Sequence, residues 1–260
     1  MSVPLFMQPL FQRSAMNLAI ELAGVRLRMQ LRFPQTARAF RDYLVEENCE
    51  GWDIRVEDGD TELFSLICPE GRFTPLNEEY ILMARASSFL LPRRRVMFHG
   101  VSFVWRGRAW IITALSGVGK TTQLRHWQRL FPEEIRIING DKSVLSLEDD
   151  GSFRVWPSPW TGKEGDAGTL DAPLAGIVLL RQADHNAIRR IGPKESVMEI
   201  FQQFLVLDED PRDLRLTCAM EDALLRQTPV WLLENLGDED SARLTHETLS
   251  EYEAVKHEDL

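Results

Sequence analysis

The run Ala114-Leu115-Ser116-Gly117-Val118-Gly119-Lys120-Thr121-Thr122 has the residue types and the spacing of a loop that cradles a polyphosphate. Gly117 and Gly119 permit backbone angles that turn successive N–H groups into one concavity, and a helix starting behind them adds the positive end of its dipole. Lys120 would neutralise the transferable phosphates, and the Thr121 hydroxyl would complete the shell of a Mg²⁺ ion. The set expected to hold ATP is therefore Ser116, Gly117, Val118, Gly119, Lys120, Thr121 and Thr122. Trp110-Ile111-Ile112-Thr113 before the run reads as a buried strand, and Leu124, Trp127 and Leu130 after it recur at helical spacing, which is the context this pattern requires. A plain Gly-rich strand-to-helix turn would leave Lys-Thr-Thr at the helix start without a reason.

Phosphoryl transfer also needs a carboxylate for the metal. Asp141 follows Lys120 by 21 positions, at the end of the apolar run Ile135-Arg136-Ile137-Ile138. So short a separation predicts two strands side by side, with Asp141 facing the Lys120 and Thr121 pocket and holding Mg²⁺ directly or through water. The ordinary alternative is a turn-forming Asp after Asn139-Gly140. Glu234, closing Val230-Trp231-Leu232-Leu233, is the rival acid of a conventional ATPase arrangement. His99 lies 21 positions before Lys120; it is either a contact for the γ-phosphate or acceptor, or a hydrogen-bonded core histidine. In the Pro- and Gly-rich stretch 157–166, Lys163 is positioned in sequence to meet transferring oxygens and Glu164 or Asp166 to accept a proton, with Ser158 or Trp160 framing the pocket. Arg181 is the alternative to Lys163. A surface loop without function is the bland reading of that stretch.

Taken in order, His99-Gly100, the run 115–122, Asn139-Gly140-Asp141-Lys142 and Ser158-Pro159-Trp160-Thr161-Gly162-Lys163-Glu164 resemble the HPr kinase and ATP-type phosphoenolpyruvate carboxykinase superfamily. They are most similar to its shorter HPr-kinase-related bacterial members, some of which accompany peptide-modification gene clusters. The resemblance covers about residues 93–250. It implies an α/β phosphate-loop fold with a mixed sheet flanked by helices, ATP and Mg²⁺ as cofactors, and a serine hydroxyl on a peptide or small protein as acceptor. HPr kinases carry adjacent aspartates where this chain has Gly140-Asp141, and the second HPr kinase signature is not found, so the resemblance does not name the general base.

The 260 residues, 44% hydrophobic and 27% charged, are enough for one large domain or two small ones, each with its own core. A net charge of −10 argues against general nucleic-acid binding and tolerates a basic peptide. The N-terminus lacks a basic, then apolar, signal pattern, and no run of about 18 apolar residues occurs; a cytoplasmic protein with no membrane association is expected, and a homo-oligomer is compatible with the sequence. Cys49, Cys68 and Cys218 show no metal-binding spacing and read as reduced packing residues.

Three segments position the chemistry. Residues 1–92, after a loose leader at 1–15, form an α+β, β-rich subdomain, a candidate substrate surface. Within it Val25, Leu27, Met29, Leu31 and Phe33 alternate with Arg26, Arg28, Gln30 and Arg32 behind a turn at Gly24, which predicts a hairpin with a wet arginine face. Helices are expected at 35–47 and 78–91, and a strand at 52–58. Residues 93–250 form the nucleotide-binding domain: a hairpin at 103–112 delivers the loop, strands follow at 135–138, 144–147, 153–156, 175–180 and 230–233, and helices at 195–205, 211–226 and from 240. Val197, Ile200, Phe201, Phe204 and Leu205 predict that the first of these helices packs on the core. Residues 251–260 are expected to be a frayed acidic tail. The sequence thus favours an ATP-dependent serine or threonine kinase, beside a non-catalytic nucleotide-sensing partner of a modification enzyme or a small-molecule hydroxyl kinase.

Overall fold

The computed structural model describes residues 16–46, 51–60, 73–205 and 210–258; the expected leader at 1–15, Cys49 and Cys68 lie outside them. The chain divides into two compact units, 1–86 and 87–260. The division falls inside a helix and not after Pro92, because Ser87 Oγ accepts the Met97 N–H at 3.0 Å and so belongs with the strand that follows.

In the first unit β1 (Met16–Leu22) and β2 (Val25–Leu31) form the expected antiparallel hairpin. Its turn uses Ala23 and Gly24, both at positive φ. Leu27, Met29 and Leu31 point inward. The alternate arginines are tied down: Arg28 pairs with Asp53 at 2.9 Å and Arg32 with Asp58 at 2.8 Å. The strand expected at 52–58 shortens to β3 (Ile54–Arg55), parallel to β2. The helix expected at 35–47 is only α1 (Pro34–Ala37) and a 3₁₀ turn over Arg38–Tyr43. The chain is drawn away there, since Leu44 bridges Ile20 and the Val45 N–H donates to Ala19 O at 3.0 Å. The next helix, α2 (Pro75–Leu90), starts on a reciprocal cap between Thr74 and Asn77.

The second unit is a mixed sheet flanked by helices. Its strands are β4 (Arg95–His99), β5 (Val101–Trp105), β6 (Arg108–Thr113), β7 (Ile135–Asn139), β8 (Lys142–Leu147), β9 (Phe153–Trp156), β10 (Ala172–Gln182), β11 (Ala187–Ile191) and β12 (Val230–Asn235). The path runs β4-β8-β9-β10-β6-β5-β7, with β12 also on β10 and β11 on β12. The long β10 is parallel to both β6 and β12, and sequence reading had no element at β11. Helices α3 (Lys120–Leu130), α4 (Pro193–Phe201), α5 (Pro211–Gln227) and α6 (Glu239–Glu258) complete the unit.

Alternation along the central strands builds two cores. Ala109 and Ile111 of β6 join Ile177 and Leu179 of β10 in a core that includes Ile200 of α4 and Met220 and Leu224 of α5. Trp110, Ile112, Val178 and Leu180 join Leu124 and Trp127 of α3 and Ala242 and Leu249 of α6 in the other. Both faces of these strands are covered, so their sequences read as unbroken apolar runs.

Several expectations change here. The helix expected at 195–205 stops at Phe201 and leaves Val197 37% exposed. Phe204 instead packs edge-on against Phe98 and bridges it as extended chain. The tail expected to fray from 251 is helical to Glu258, held by Tyr252 against Trp231 and by the buried Glu253. Cys218 is exposed and is no packing residue. Among the described residues no helix is long and apolar enough to cross a membrane.

Buried Glu221 on α5 has an Oε1 without a hydrogen-bond partner. Burial, aided by the charge of Asp222, pushes its carboxyl up to about 7. A carboxyl raised on folding binds its proton more tightly in the native state, so its ionisation costs stability progressively as pH rises from the ordinary carboxylate range to about 7. Glu221→Gln is therefore expected to raise stability at pH 8 by about 2–3 kcal/mol and to change little at pH 4.5, read from urea unfolding at both pH values.

Candidate active site

The antiparallel pairs β4/β8 and β5/β7 run on into one another at Gly100 and at Gly140-Asp141. A Cβ on Gly100 would lie 2.7 Å from Ile111 Cγ2 and 3.1 Å from Ile112 O, so only glycine lets this crossing sit on β6. The expectation that the strands carrying Lys120 and Asp141 are neighbours is corrected: β5 lies between β6 and β7. The hairpin that delivers the loop folds its first strand into that gap. The charge of Asp141, which sits in the β7-to-β8 crossing, is nonetheless felt at Lys120 and favours its protonated form.

Asp141 is held from all sides. Its main-chain O accepts the Gly100 N–H at 2.7 Å. The buried Asn139 accepts the N–H groups of Asp141 and Lys142, each at 2.8 Å, and donates to Ser158 O at 2.9 Å. Asp141 Oδ1 faces His99 Nε2 at 3.3 Å and Oδ2 pairs with Lys142. Burial pushes the Asp141 carboxyl up, but the His99 and Lys142 contacts together outweigh it and leave the group below its ordinary value. His99 is fixed in turn: Thr113 Oγ1, at the end of β6, donates to His99 O at 2.6 Å, and Gln203 Oε1 lies 3.2 Å from Nδ1.

The loop of residues 114–119 has the conformation its glycines allow, with Gly117 at φ 82° and Gly119 at φ 116°. Leu115, Ser116 and Gly117 are exposed, Val118, Gly119 and Thr121 partly buried, and Thr122 exposed on the first turn of α3. Lys120 is only 8% exposed, and its ammonium donates back to Ala114 O at 3.0 Å and Leu115 O at 3.2 Å. Among the described residues no carboxylate forms an ion pair with it. Burial lowers its pKa, opposed by the charge of Asp141 and assisted by that of Lys142. A buried cation satisfied only by the carbonyls of its own loop is a ready partner for an anion entering that loop.

The stretch 157–166 lies on Asp141. The Gly140 N–H donates to Asp166 O at 2.8 Å, and a Cβ on Gly140 would stand 2.7 Å from Asp166 Cβ. A side chain at position 140 has no room. A Cβ on Gly162, at φ +74°, would meet Asp141 Cβ at 2.9 Å. Ser158 and Trp160 are buried, while Lys163 and Glu164 are exposed at the tip. Glu164 pairs with Arg125 of α3, which ties the loop to that helix. Arg181 pairs weakly with Glu199 at 3.4 Å. Glu234 acts on His185 and Arg189, on the β11 side of the sheet. Gly162→Ala is expected to cost about 1–3 kcal/mol, from left-handed backbone strain together with the push on Asp141, measured as a loss in chemical denaturation.

Among the described residues no group of three or more His, Cys, Asp or Glu side chains is placed to hold a metal. The oxygen donors at hand, the Thr121 hydroxyl and the Asp141 carboxylate, suit a hard cation that takes its remaining ligands from water and substrate phosphates, as Mg²⁺ does.

No family model and no curated protein matches the chain. Among solved structures it is similar to the HPr(Ser) kinase/phosphatase from Coxiella burnetii, with 14% identity and a TM-score of 0.37 over 62% of this chain and 98% of that one. The likeness is distant, and the roles of individual residues come from their own geometry.

Sequence reading missed Gln203, 104 positions from His99, and no local signal would have found it. It also left Lys142 and Asn139 without roles. An Asn ahead of Gly-Asp at a strand end is the usual sign of a side chain that caps its own turn, and that signal was there to be read.

Proposed function

We propose that the chain is an ATP-dependent phosphotransferase that moves the γ-phosphoryl group to a serine or threonine hydroxyl of a peptide or small protein. The observation that carries this reading is the buried Lys120 ammonium, bonded among the described residues only to Ala114 O and Leu115 O inside a glycine-shaped loop and lying in the field of Asp141. Entering β- and γ-phosphates would draw the ammonium from those carbonyls, while loop N–H groups and the start of α3 take up the remaining negative charge. Thr121 and Asp141 would hold Mg²⁺, which when bound supplies charge neutralisation along the phosphates.

Each Asp141 oxygen keeps a lone-pair site beyond those used by His99 and Lys142. The carboxylate can therefore accept the hydroxyl proton as the acceptor oxygen bonds to phosphorus and the bond to the ADP oxygen breaks. Residues 157–166, clamped over Asp141 and tied to α3 through Glu164 and Arg125, would keep water from that line. Lys163, exposed at the loop tip, would be the cation to steady the transferred group.

A second reading draws on Asp141 itself. Both of its oxygens already have cationic or histidine partners, which suits a site that senses nucleotide without turnover. Mass spectrometry after incubation with ATP, Mg²⁺ and a small peptide encoded beside this protein's gene separates the two. Addition of one phosphoryl group to a hydroxyl is expected. An unmodified peptide under conditions of proven ATP binding leaves the sensing reading.

A further inference from the structure

Lys142 opens β8 with its main chain pinned on both sides. Its N–H donates to Asn139 Oδ1 at 2.8 Å, its O accepts the Ser158 hydroxyl, and it stands opposite His99 in the β4/β8 register. What can change place is the flexible four-carbon side chain, whose ammonium donates to Asp141 Oδ2. That side chain is 14% exposed, and among the described residues no other carboxylate pairs with it. The crossing that carries it lies against the strand leading into the glycine loop. Thr113, the residue before Ala114, donates to His99 O at 2.6 Å, and the Gly100 N–H donates to Asp141 O at 2.7 Å. The Lys142 charge is felt at Lys120, where it disfavours the protonated form.

The carboxylate that suits a metal is thus already neutralised by a cation of the chain itself. Asp141 has lone pairs to spare, but a divalent ion sharing one carboxylate with an ammonium meets the repulsion of like charges, which burial leaves poorly screened. One of the two cations has to give way. A partly buried ammonium does so when another anion comes within its reach, and a polyphosphate entering the loop is such an anion. We propose that Lys142 neutralises Asp141 while no nucleotide is bound and moves its ammonium to the γ-phosphate of bound Mg²⁺·ATP, leaving the carboxylate to the metal. This rests on the phosphotransferase reading, in which the γ-phosphate faces Asp141. Metal and ATP then favour each other's binding, and by linkage the favour is mutual. ADP has no γ-phosphate to receive the ammonium, so the same lysine makes the site discriminate between the two nucleotides.

The test is calorimetry on the full chain with Mn²⁺, Mg²⁺, ATP and ADP. Lys142→Gln keeps a neutral donor near Asp141, and Lys142→Met serves if that variant does not fold. Mn²⁺ added alone, as a hard cation that takes oxygen ligands, should bind the neutral variant at least tenfold more tightly than the wild type. The wild type should prefer ATP over ADP at least tenfold more strongly in Mg²⁺ than in EDTA, and in the neutral variant that difference should vanish. Lys142→Arg, which retains the charge, should retain the difference. A lysine with a merely structural role would lower the melting temperature on substitution and move neither ratio. Unchanged Mn²⁺ affinity in the neutral variants overturns the inference, and so does a Mg²⁺-dependent preference for ATP that survives in them. A wild-type ATP complex indifferent to Mg²⁺ overturns it as well. Should the binding pattern hold while no peptide hydroxyl is phosphorylated, Lys142 keeps this role in a nucleotide sensor and the phosphotransferase reading falls.

Discussion

Lys120→Ala is expected to abolish turnover and to weaken ATP binding by about 100-fold or more, which is about 2.7 kcal/mol of charge-assisted contact. The fold should survive the change. Among the described residues the ammonium donates to Ala114 O and Leu115 O, and the exposed Leu115 and Ser116 leave room for water to take its place at Leu115 O. Removing a buried cation whose pKa burial already lowers takes away little folding energy and most of the attraction for a polyphosphate. Titration calorimetry with ATP, set beside a melting curve, reads both quantities. Undiminished affinity in the variant would move the nucleotide site away from this loop.

Asp141→Asn should fail in a different way. The amide keeps the size of the carboxylate and its main-chain bonds to Gly100 and Asn139, so metal-free ADP should bind within about threefold of the wild type, roughly 0.6 kcal/mol. The gain in affinity on adding Mg²⁺ should disappear, and turnover should fall by about 10³-fold or more, as expected when a charge that acts on the transition state is removed. The amide also loses the ionic part of its contacts with His99 and Lys142, leaving two cationic or hydrogen-bonding groups without their anion. Glu234→Gln is the control. Its charge acts on His185 and Arg189, and the Mg²⁺ effect should be intact. If Glu234→Gln loses the metal effect and Asp141→Asn keeps it, the site has been assigned to the wrong side of β10.

Much of the second unit was legible locally. The strands of residues 103–112, 135–138, 144–147, 153–156 and 230–233 announce themselves by short apolar or β-branched runs between turn formers, and α5 by a period that holds over 17 residues. The apolar run 195–205 misled for the same reason. Val197, Ile200, Phe201, Phe204 and Leu205 keep a helical period, but Phe204 finds Phe98 across a bridge to β4, and that pairing ends the helix at Phe201. Likewise the helix expected at 35–47 gave way to a bridge between Leu44 and Ile20. In both cases a strand edge distant in sequence offered the backbone partners that a short helix lacks at its end.

The sequence by itself determined the parts whose conformation is set by immediate neighbours. Gly117 and Gly119 around Val118 specify a loop that only left-handed glycines can make, and Lys120-Thr121 behind them give it the pattern on which the proposed phosphate binding rests. Tertiary structure alone decided what surrounds it. That β5 separates β6 from β7, that the Asp141 charge is nevertheless felt at Lys120, and that Gly140 and Gly162 are the points where residues 157–166 close on Asp141 follow from strand order and from packing between segments remote in sequence. Gln203 is the clearest instance, its amide turned toward His99 by a carbonyl of α4. A side chain's type is written in the chain, but which of its atoms faces which partner is settled only when separate elements pack and every buried donor must find an acceptor.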